Sequence, residues 1–452
     1  MATGISKSRW TREELHDPLE ELPVSLSYAG KSSEKAVLAT QPADLRVLFE
    51  TGSGQNRLIY GDNLPILSRL HCVPDLREKI QLVYIDPPFA TGSIFKSRKQ
   101  KDAYSDLMTG AKYIEFLRRR LIFLRELLAT DGSIYVHLDS KMTFQIKVVM
   151  DEIFGADNFR GSITRKKCNP KNFTRRTYGN ISDYILFYTK TNNYFWERPY
   201  DAWTEEQALR EYPYTEEKTG RRFKKVPIHA PGIRNGATGG YWRNMLPPEG
   251  KHWQYTPDRL DEMDANGEIY WSPNGNPRRK VYLEDSSGKP VQDIWLDFKD
   301  AHNQNIRITG YPTEKNPELL ARIIRASSAP GGMILDCFAG SGTTLDVAHE
   351  LGRNWIGIDN SLHAIDTILH RLAYGTKPMG DFVSKSENQE LQQTTLFDEV
   401  AEESGQERNE ASNSQTYRIP DFSLLSSVEI TSELDDSLSN WLESTGWPLA
   451  FK

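Results

Sequence analysis

Leu82-Val83-Tyr84-Ile85-Asp86-Pro87-Pro88-Phe89 reads as a buried strand that runs into an acid, two prolines and an aromatic ring. A buried strand ending in a carboxylate delivers that group to the carboxyl edge of a sheet, where α/β proteins bind their ligands. Pro87 and Pro88 fix the backbone just beyond the strand and carry no N–H. Their carbonyls stay open as acceptors. Asp86 and the Pro87 carbonyl then form a rigid acceptor pair with the flat ring of Phe89 beside it. Such a group suits a planar ligand that carries an amine, as a nucleobase does. The same residues also read as a turn that holds a solvated acid, so the decision passes to their surroundings.

On the N-terminal side, Arg57–Tyr60 reads as a short strand followed by Gly61, Asp62 and Asn63. Asp62 or Asn63 can cap a helix that begins near Leu64, and the same pair can reach a ligand at the sheet edge. On the C-terminal side, Ala90–Lys101 reads as a loop. Tyr113–Leu128 places Ile114, Leu117, Leu121, Leu124 and Leu128 at helical spacing. Arg118, Arg119 and Arg120 within it are expected to be mainly solvated. Ser133–Leu138 and Asp183–Thr189 read as strands, and Phe144–Ile153 as a helix. Strands alternating with helices predict a parallel sheet. Between them, Arg160–Ser182 is basic and contains no acid, which suits a phosphate backbone as well as a solvated face.

A second strand-to-loop junction lies far along the chain. Met333–Cys337 is a strand that ends at Asp336-Cys337 and runs into Phe338-Ala339-Gly340-Ser341-Gly342-Thr343-Thr344. Gly340 and Gly342 allow a tight turn that aims backbone N–H groups from the start of the next helix, near Leu345–Leu351. The loop has neither the lysine of a Walker A loop nor the full dinucleotide glycine pattern. The next strand, Trp355–Ile358, ends at Asp359, placed to accept hydrogen bonds from ribose hydroxyls. The junction reads as a cofactor loop.

The chain has 452 residues, enough for one large domain or two to three ordinary ones. Its composition, 38% hydrophobic and 26% charged, is that of a globular protein, and no apolar run is long enough to span a bilayer. With no signal-peptide pattern at the N-terminus, a cytoplasmic location is expected. The formal net charge of -6 excludes a uniformly basic protein but not a nucleic-acid binder. Cys72, Cys168 and Cys337 are scattered, and no third ligand joins His363 and His370, so no metal site is expected. From Asn192 to about Asp300 the periodicity breaks. Large rings such as Trp242, Trp253 and Trp271 alternate with glycines and prolines, too many for a disordered segment. This reads as an inserted domain with side chains able to reach base edges or phosphates. Residues 380–414 read as a polar linker, and Phe422–Phe451 as a packing element or partner contact.

Asp86–Phe89, Cys337–Thr344 and Asp359, in that order, resemble the amino-group DNA methyltransferases of the beta-type motif order, with closest likeness to adenine-specific enzymes and the modification subunits of type III restriction systems. Gly61–Leu64, Asp131–Asp139, Tyr184–Lys190 and Thr313–Leu320 resemble further motifs of that family, over roughly residues 56–190 and 290–375. The acceptor motif usually ends in Tyr, where this chain has Phe89. Lys-Pro is usual where this chain has Lys315-Asn316, with Pro317 one place on.

The resemblance implies an α/β fold: a Rossmann-like S-adenosylmethionine-dependent methyltransferase sheet, circularly permuted, with an inserted target-recognition domain. The implied organisation is an N-terminal arm (1–50), an acceptor half (51–190), the insertion (191–300), a cofactor half (301–379) and a linker with C-terminal element (380–452). It implies methyl transfer from S-adenosyl-L-methionine to adenine N6 of a flipped base in double-stranded DNA. Asp86, Pro87, Pro88 and Phe89 would act on the base. Asp62, Asn63, Lys315, Asn316, Asp336, Phe338, Ala339, Gly340, Ser341, Gly342, Thr343, Thr344 and Asp359 would hold the cofactor. The alternatives are an N4-cytosine methyltransferase on the same fold and a DNA-binding subunit without catalysis. The family also admits a homodimer and a restriction subunit as partners.

Overall fold

In the computed structural model the apolar runs assemble side by side. It describes residues 24–51, 55–88, 94–96, 102–105, 110–169, 176–300, 307–309, 311, 314–378 and 421–427. The main sheet is built from β1 (Arg46–Glu50), β2 (Asn56–Tyr60), β3 (Ile80–Ile85), β4 (Leu128–Leu138), β5 (Phe159–Lys166), β6 (Ser182–Thr189), β7 (Ile294–Trp295), β8 (Met333–Asp336), β9 (Asn354–Asp359) and β10 (Phe422–Ser426). Their order is β1–β10–β2–β9–β8–β3–β4–β6–β5–β7. From β10 to β4 all neighbours are parallel. β6 pairs antiparallel with β4 and β5.

The decisive pairing is β3 with β8, with Leu82 opposite Ile334 and Val83 opposite Leu335. It sets the acceptor strand and the glycine-loop strand side by side and parallel. The chain leaves β3 toward β4 on one side and leaves β8 toward β9 on the other. Connections that diverge between adjacent parallel strands open a crevice at their carboxyl ends. Both strands are buried on both faces, which explains their near-continuous apolar runs.

Helices α1 (Glu34–Leu38), α2 (Asn63–His71), α3 (Gly110–Leu127), α4 (Thr143–Phe154), α5 (Pro317–Ser327), α6 (Thr343–Glu350) and α7 (Leu362–Tyr374) accompany the sheet. Leu117, Leu121 and Leu124 of α3 are fully buried in one cluster with Val83, Ile85, Ile134 and Val136. Each such leucine contributes about 1.5–3 kcal/mol. α5 begins at Pro317 with Asn316 as its cap and buries Leu319, Leu320, Ile323 and Ile324. Across β4, Tyr135 Oη meets Ser327 Oγ of that helix at 2.7 Å.

Several expectations are corrected. Arg118 and Arg120 are buried, not solvated. The segment before β1 covers that side of α3: the Arg118 guanidinium donates to the Ser32 carbonyl, Tyr28 Oη donates to Glu115 and Lys31 pairs with Glu152. The later part of the N-terminal arm therefore packs against the core, through Leu26, Tyr28, Val37 and Leu38, and it ends in an edge strand. Arg165, in the basic stretch that suited a phosphate backbone or a solvated face, has no exposed surface. It lies in β5, with Nη1 2.9 Å from Asp183 and Nη2 2.7 Å from Asp300. The acids that neutralise it lie outside the basic stretch in sequence, so local composition could not show them. The C-terminal element enters the main sheet as β10, between β1 and β2, with Phe422 and Leu424 fully buried. The linker at 380–414 and residues 428–452 lie outside the described residues.

Residues Arg198–Val291 form a separate compact unit. Its four-stranded antiparallel sheet runs Tyr214–Thr215, Arg222–Pro227, Pro277–Tyr282, Ile269–Trp271. Trp242, Trp253, Ile228, Leu260, Met263 and Ile269 make its core. The indole N–H groups of Trp242, Trp253 and Trp271 donate to Asp261, the Gly240 carbonyl and Asp264 at 3.0, 3.0 and 2.7 Å. The rings that made this stretch conspicuous serve first as its own core. Among the described residues, no helix is long and apolar enough to cross a membrane.

Candidate active site

Because β3 and β8 are parallel neighbours, Asp86 and the loop after Asp336 open on the same crevice. The crevice there holds a cavity of about 100 Å³. It is lined by Asp86, Pro87, Pro88, Lys315, Asp336, Phe338, Ala339, Gly340, Ser341, Thr343, Thr344 and Asp359. Gly342 lies behind this lining as the cap of α6. Asn316 is occupied in capping α5, where it accepts from Glu318 N at 2.8 Å. Phe89 lies outside the described residues.

The glycine loop is held from both ends. Asp336 accepts from the Phe338 backbone N–H at 3.0 Å and from Thr344 Oγ1 at 2.6 Å. Asp359 accepts from Gly340 N at 2.8 Å through one oxygen and from Ser361 N at 2.8 Å through the other. Gly340 and Gly342 have φ of +51° and +75°. At Gly342 a Cβ would meet Ile368 Cγ1 at 2.8 Å, so both the conformation and the space require glycine. Burial, with Asp86 and Asp359 adding repulsion, pushes the Asp336 carboxyl up to about 7. Burial likewise raises Asp359, against the hydrogen bonds from Gly340 and Ser361.

Asp62 and Asn63 do not line this cavity. Asp62 caps α2 through Leu64 N at 3.0 Å and pairs with Arg120 at 2.9 Å. Asn63 donates to the Cys337 carbonyl at 2.6 Å and accepts from Arg120 Nε. Arg120 stacks over Phe116 at 3.6 Å, and Phe116 approaches the loop's Phe338 at 6.0 Å. The pair thus buttresses the loop from behind, while the Asp62 side chain remains 60% exposed and borders a second depression lined by Lys112, Phe116 and Arg119.

Asp86 is the most unusual group. Its Oδ2 lies 2.6 Å from Lys315 Nζ. Its Oδ1 is buried and has no hydrogen-bond partner among the described residues. A buried, unsatisfied carboxylate oxygen is costly, and it belongs here to a residue that lines the cavity.

Sequence reading missed Tyr84, Tyr311, Glu314, Leu320 and Asn360, which also border the cavity. Tyr84 was within reach, because it sits two residues before Asp86 and so faces the same side of the strand. Behind it, Tyr84 Oη lies 2.8 Å from His137 Nδ1, and His137 Nε2 lies 3.0 Å from Asp183 Oδ2. Burial would raise Asp183; His137, Arg165 and Lys315 more than offset it and hold the acid well below its usual range. Burial and the nearby Asp86 push the Tyr84 phenol up. No spacing rule in the sequence joins these groups, since they come from separate strands.

Comparison with known proteins places the chain in a family. The profile of N6_N4_Mtase, described as DNA methylase, matches residues 80–370. The type II methyltransferase M.EcaI of Enterobacter cloacae is 48% identical over 386 residues, 84% of each chain. The StyLTI Mod subunit, from a type III restriction-modification enzyme of Salmonella typhimurium, is 27% identical over 410 residues, covering 78% of this chain and 60% of that one. Among solved structures, the M1.HpyAVI–SAM complex is 17% identical and overlaps 70% of this chain and 98% of its own, with a TM-score of 0.38. The profile match spans both strand-to-loop junctions, and M.EcaI is matched over most of both chains: this chain belongs to the N6_N4_Mtase family of DNA methylases.

Proposed function

We propose that this DNA methyltransferase of the restriction-modification type modifies adenine N6, on a base turned out of the duplex into the Asp86 crevice. The observation that carries the reading is Asp86, whose buried Oδ1 has no partner among the described residues, lining one cavity with Pro87 and with Phe338, Gly340 and Thr344. The donor set fits S-adenosyl-L-methionine. Acids suit its positive centres, the loop gives the close backbone approach that a nucleoside needs, and Asp359 keeps lone pairs for ribose hydroxyls. When bound, S-adenosyl-L-methionine supplies a methyl group already activated by its positive sulfonium.

The chain's own residues do the rest. Asp86 Oδ1 and the Pro87 carbonyl accept the two N–H bonds of the target amine. This draws its lone pair out of conjugation and aims it along the line of transfer. The carboxylate stabilises positive charge as it grows on nitrogen. Phe89 stacks on the extruded base. The second proton of the amine leaves after transfer, so no histidine base is required. Double-stranded DNA is the substrate. A second copy of the chain and a restriction subunit are the proposed protein partners, the latter supported by the StyLTI relative's being a Mod subunit.

The test is modification-sensitive sequencing, with mass analysis of the nucleosides, on DNA from cells that express the chain. N6-methyladenine at one recurrent sequence is the expected result. N4-methylcytosine would move the assignment to the other amine. Unmodified DNA, together with DNA binding in vitro, would point to a non-catalytic subunit.

A further inference from the structure

Four acids border the cavity: Asp86, Glu314, Asp336 and Asp359. Glu314 is committed to a buried pair with Arg371. Among the described lining residues Lys315 is the one cation. It lies 2.6 Å from Asp86 Oδ2, with the two side chains 9% and 19% exposed. That contact conflicts with the chemistry assigned to Asp86. The carboxylate is there to favour positive charge on the target amine, and an ammonium held against it cancels much of that field. The amino-acid end of the methyl donor poses the complementary problem, because its carboxylate must enter a pocket rich in acids.

One movement resolves both conflicts. We propose that Lys315 is a positioning residue with two successive charge partners: Asp86 before the donor binds, and the donor's carboxylate afterwards. Donor binding then draws the ammonium's charge away from Asp86 and leaves the acid to the amine. Methyl donor and acceptor base are linked through one side chain, so the site is electrostatically ready for a base only once the donor is in place. The lysine needs only side-chain rotation, since it sits on the fixed turn just before the Asn316 cap. This inference rests on the donor reading of the cavity.

The experiment is calorimetric titration of the full chain with two ligands. One is S-adenosylhomocysteine, and the other is its decarboxylated form, which lacks only the carboxylate. Wild type, Asp86→Asn, Lys315→Met and the double variant are compared. Asp86→Asn is expected to tighten S-adenosylhomocysteine by about tenfold, the scale of a partly buried ion pair that no longer has to be broken. It should give the decarboxylated ligand no gain. Lys315→Met should weaken S-adenosylhomocysteine by about tenfold and cost the decarboxylated ligand nothing. In the Lys315→Met background the gain from Asp86→Asn should vanish. A gain that persists there reports direct repulsion between Asp86 and the ligand and overturns the exchange. So does a gain shared by both ligands, or no gain for either. A Lys315→Met loss equal for both ligands assigns the residue a structural role and also overturns it. If wild type binds neither ligand, the donor reading of the cavity fails instead.

Discussion

Asp86 and Asp336 carry the strongest single-residue consequences. Asp86→Ala removes the acceptor but leaves the glycine loop intact. Methyl transfer should fall by at least about 10²-fold, the cost of losing one preorganised polar group, while S-adenosylhomocysteine still binds. Radiolabelled methyl transfer and calorimetry on the same preparation check both halves, and retained transfer would remove Asp86 from the chemistry. Asp336 adds a pH dependence. Its folded-state pKa is about 7 against the ordinary 3.8, so the native state holds its proton more tightly than the unfolded chain does. Stability from this group is therefore full below about pH 4 and declines as pH rises to about 7. Donor affinity runs the other way, because only the ionised acid attracts the donor's positive centres. Affinity should rise with pH through about 7, and Asp336→Asn should flatten that rise while making the apo chain more stable at pH 8. A pH series of binding constants and of thermal midpoints tests the two signs. Tyr84, two places before Asp86, was legible by strand alternation. The Lys315 contact was not, because nothing in the spacing of the two residues brings them within 2.6 Å.

Among the elements, the loop between β8 and α6 is the least tolerant. Gly342→Ala puts a Cβ 2.8 Å from Ile368 Cγ1 at a φ of +75°. The expected loss is about 1–3 kcal/mol, with donor binding weakened as the loop shifts; chemical denaturation and calorimetry report the two. The strand pair β5–β6 carries a different cost. Arg165→Met strands the buried Asp183 charge, for an expected loss of about 3–5 kcal/mol; an unchanged urea midpoint would contradict it. Helix and strand positions in the core were legible as periodicity. The roles of polar residues within them were not, since Arg118, Arg120 and Arg165 find their partners on other elements.

At the scale of the molecule, the Arg198–Val291 unit leaves and re-enters the chain at one place, with Val291 N bonded to the Pro199 carbonyl at 3.0 Å. All residues named as lining the donor cavity lie outside it. Replacing the unit by a short linker should leave S-adenosylhomocysteine affinity within about threefold, well under 1 kcal/mol. It should abolish sequence-specific DNA binding, measured by gel shift; lost donor binding would show that the two units depend on each other. The sequence by itself determined the two strand-to-loop junctions and the α/β class. Those follow from local causes: apolar runs, prolines that fix a turn, and glycines that admit positive φ. Only the tertiary structure decided that Leu82 lies opposite Ile334, that Phe422–Ser426 completes the sheet, and that Lys315 rests on Asp86. Strand order and the pairing of buried charges depend on contacts between distant segments, and such contacts leave no period in the chain.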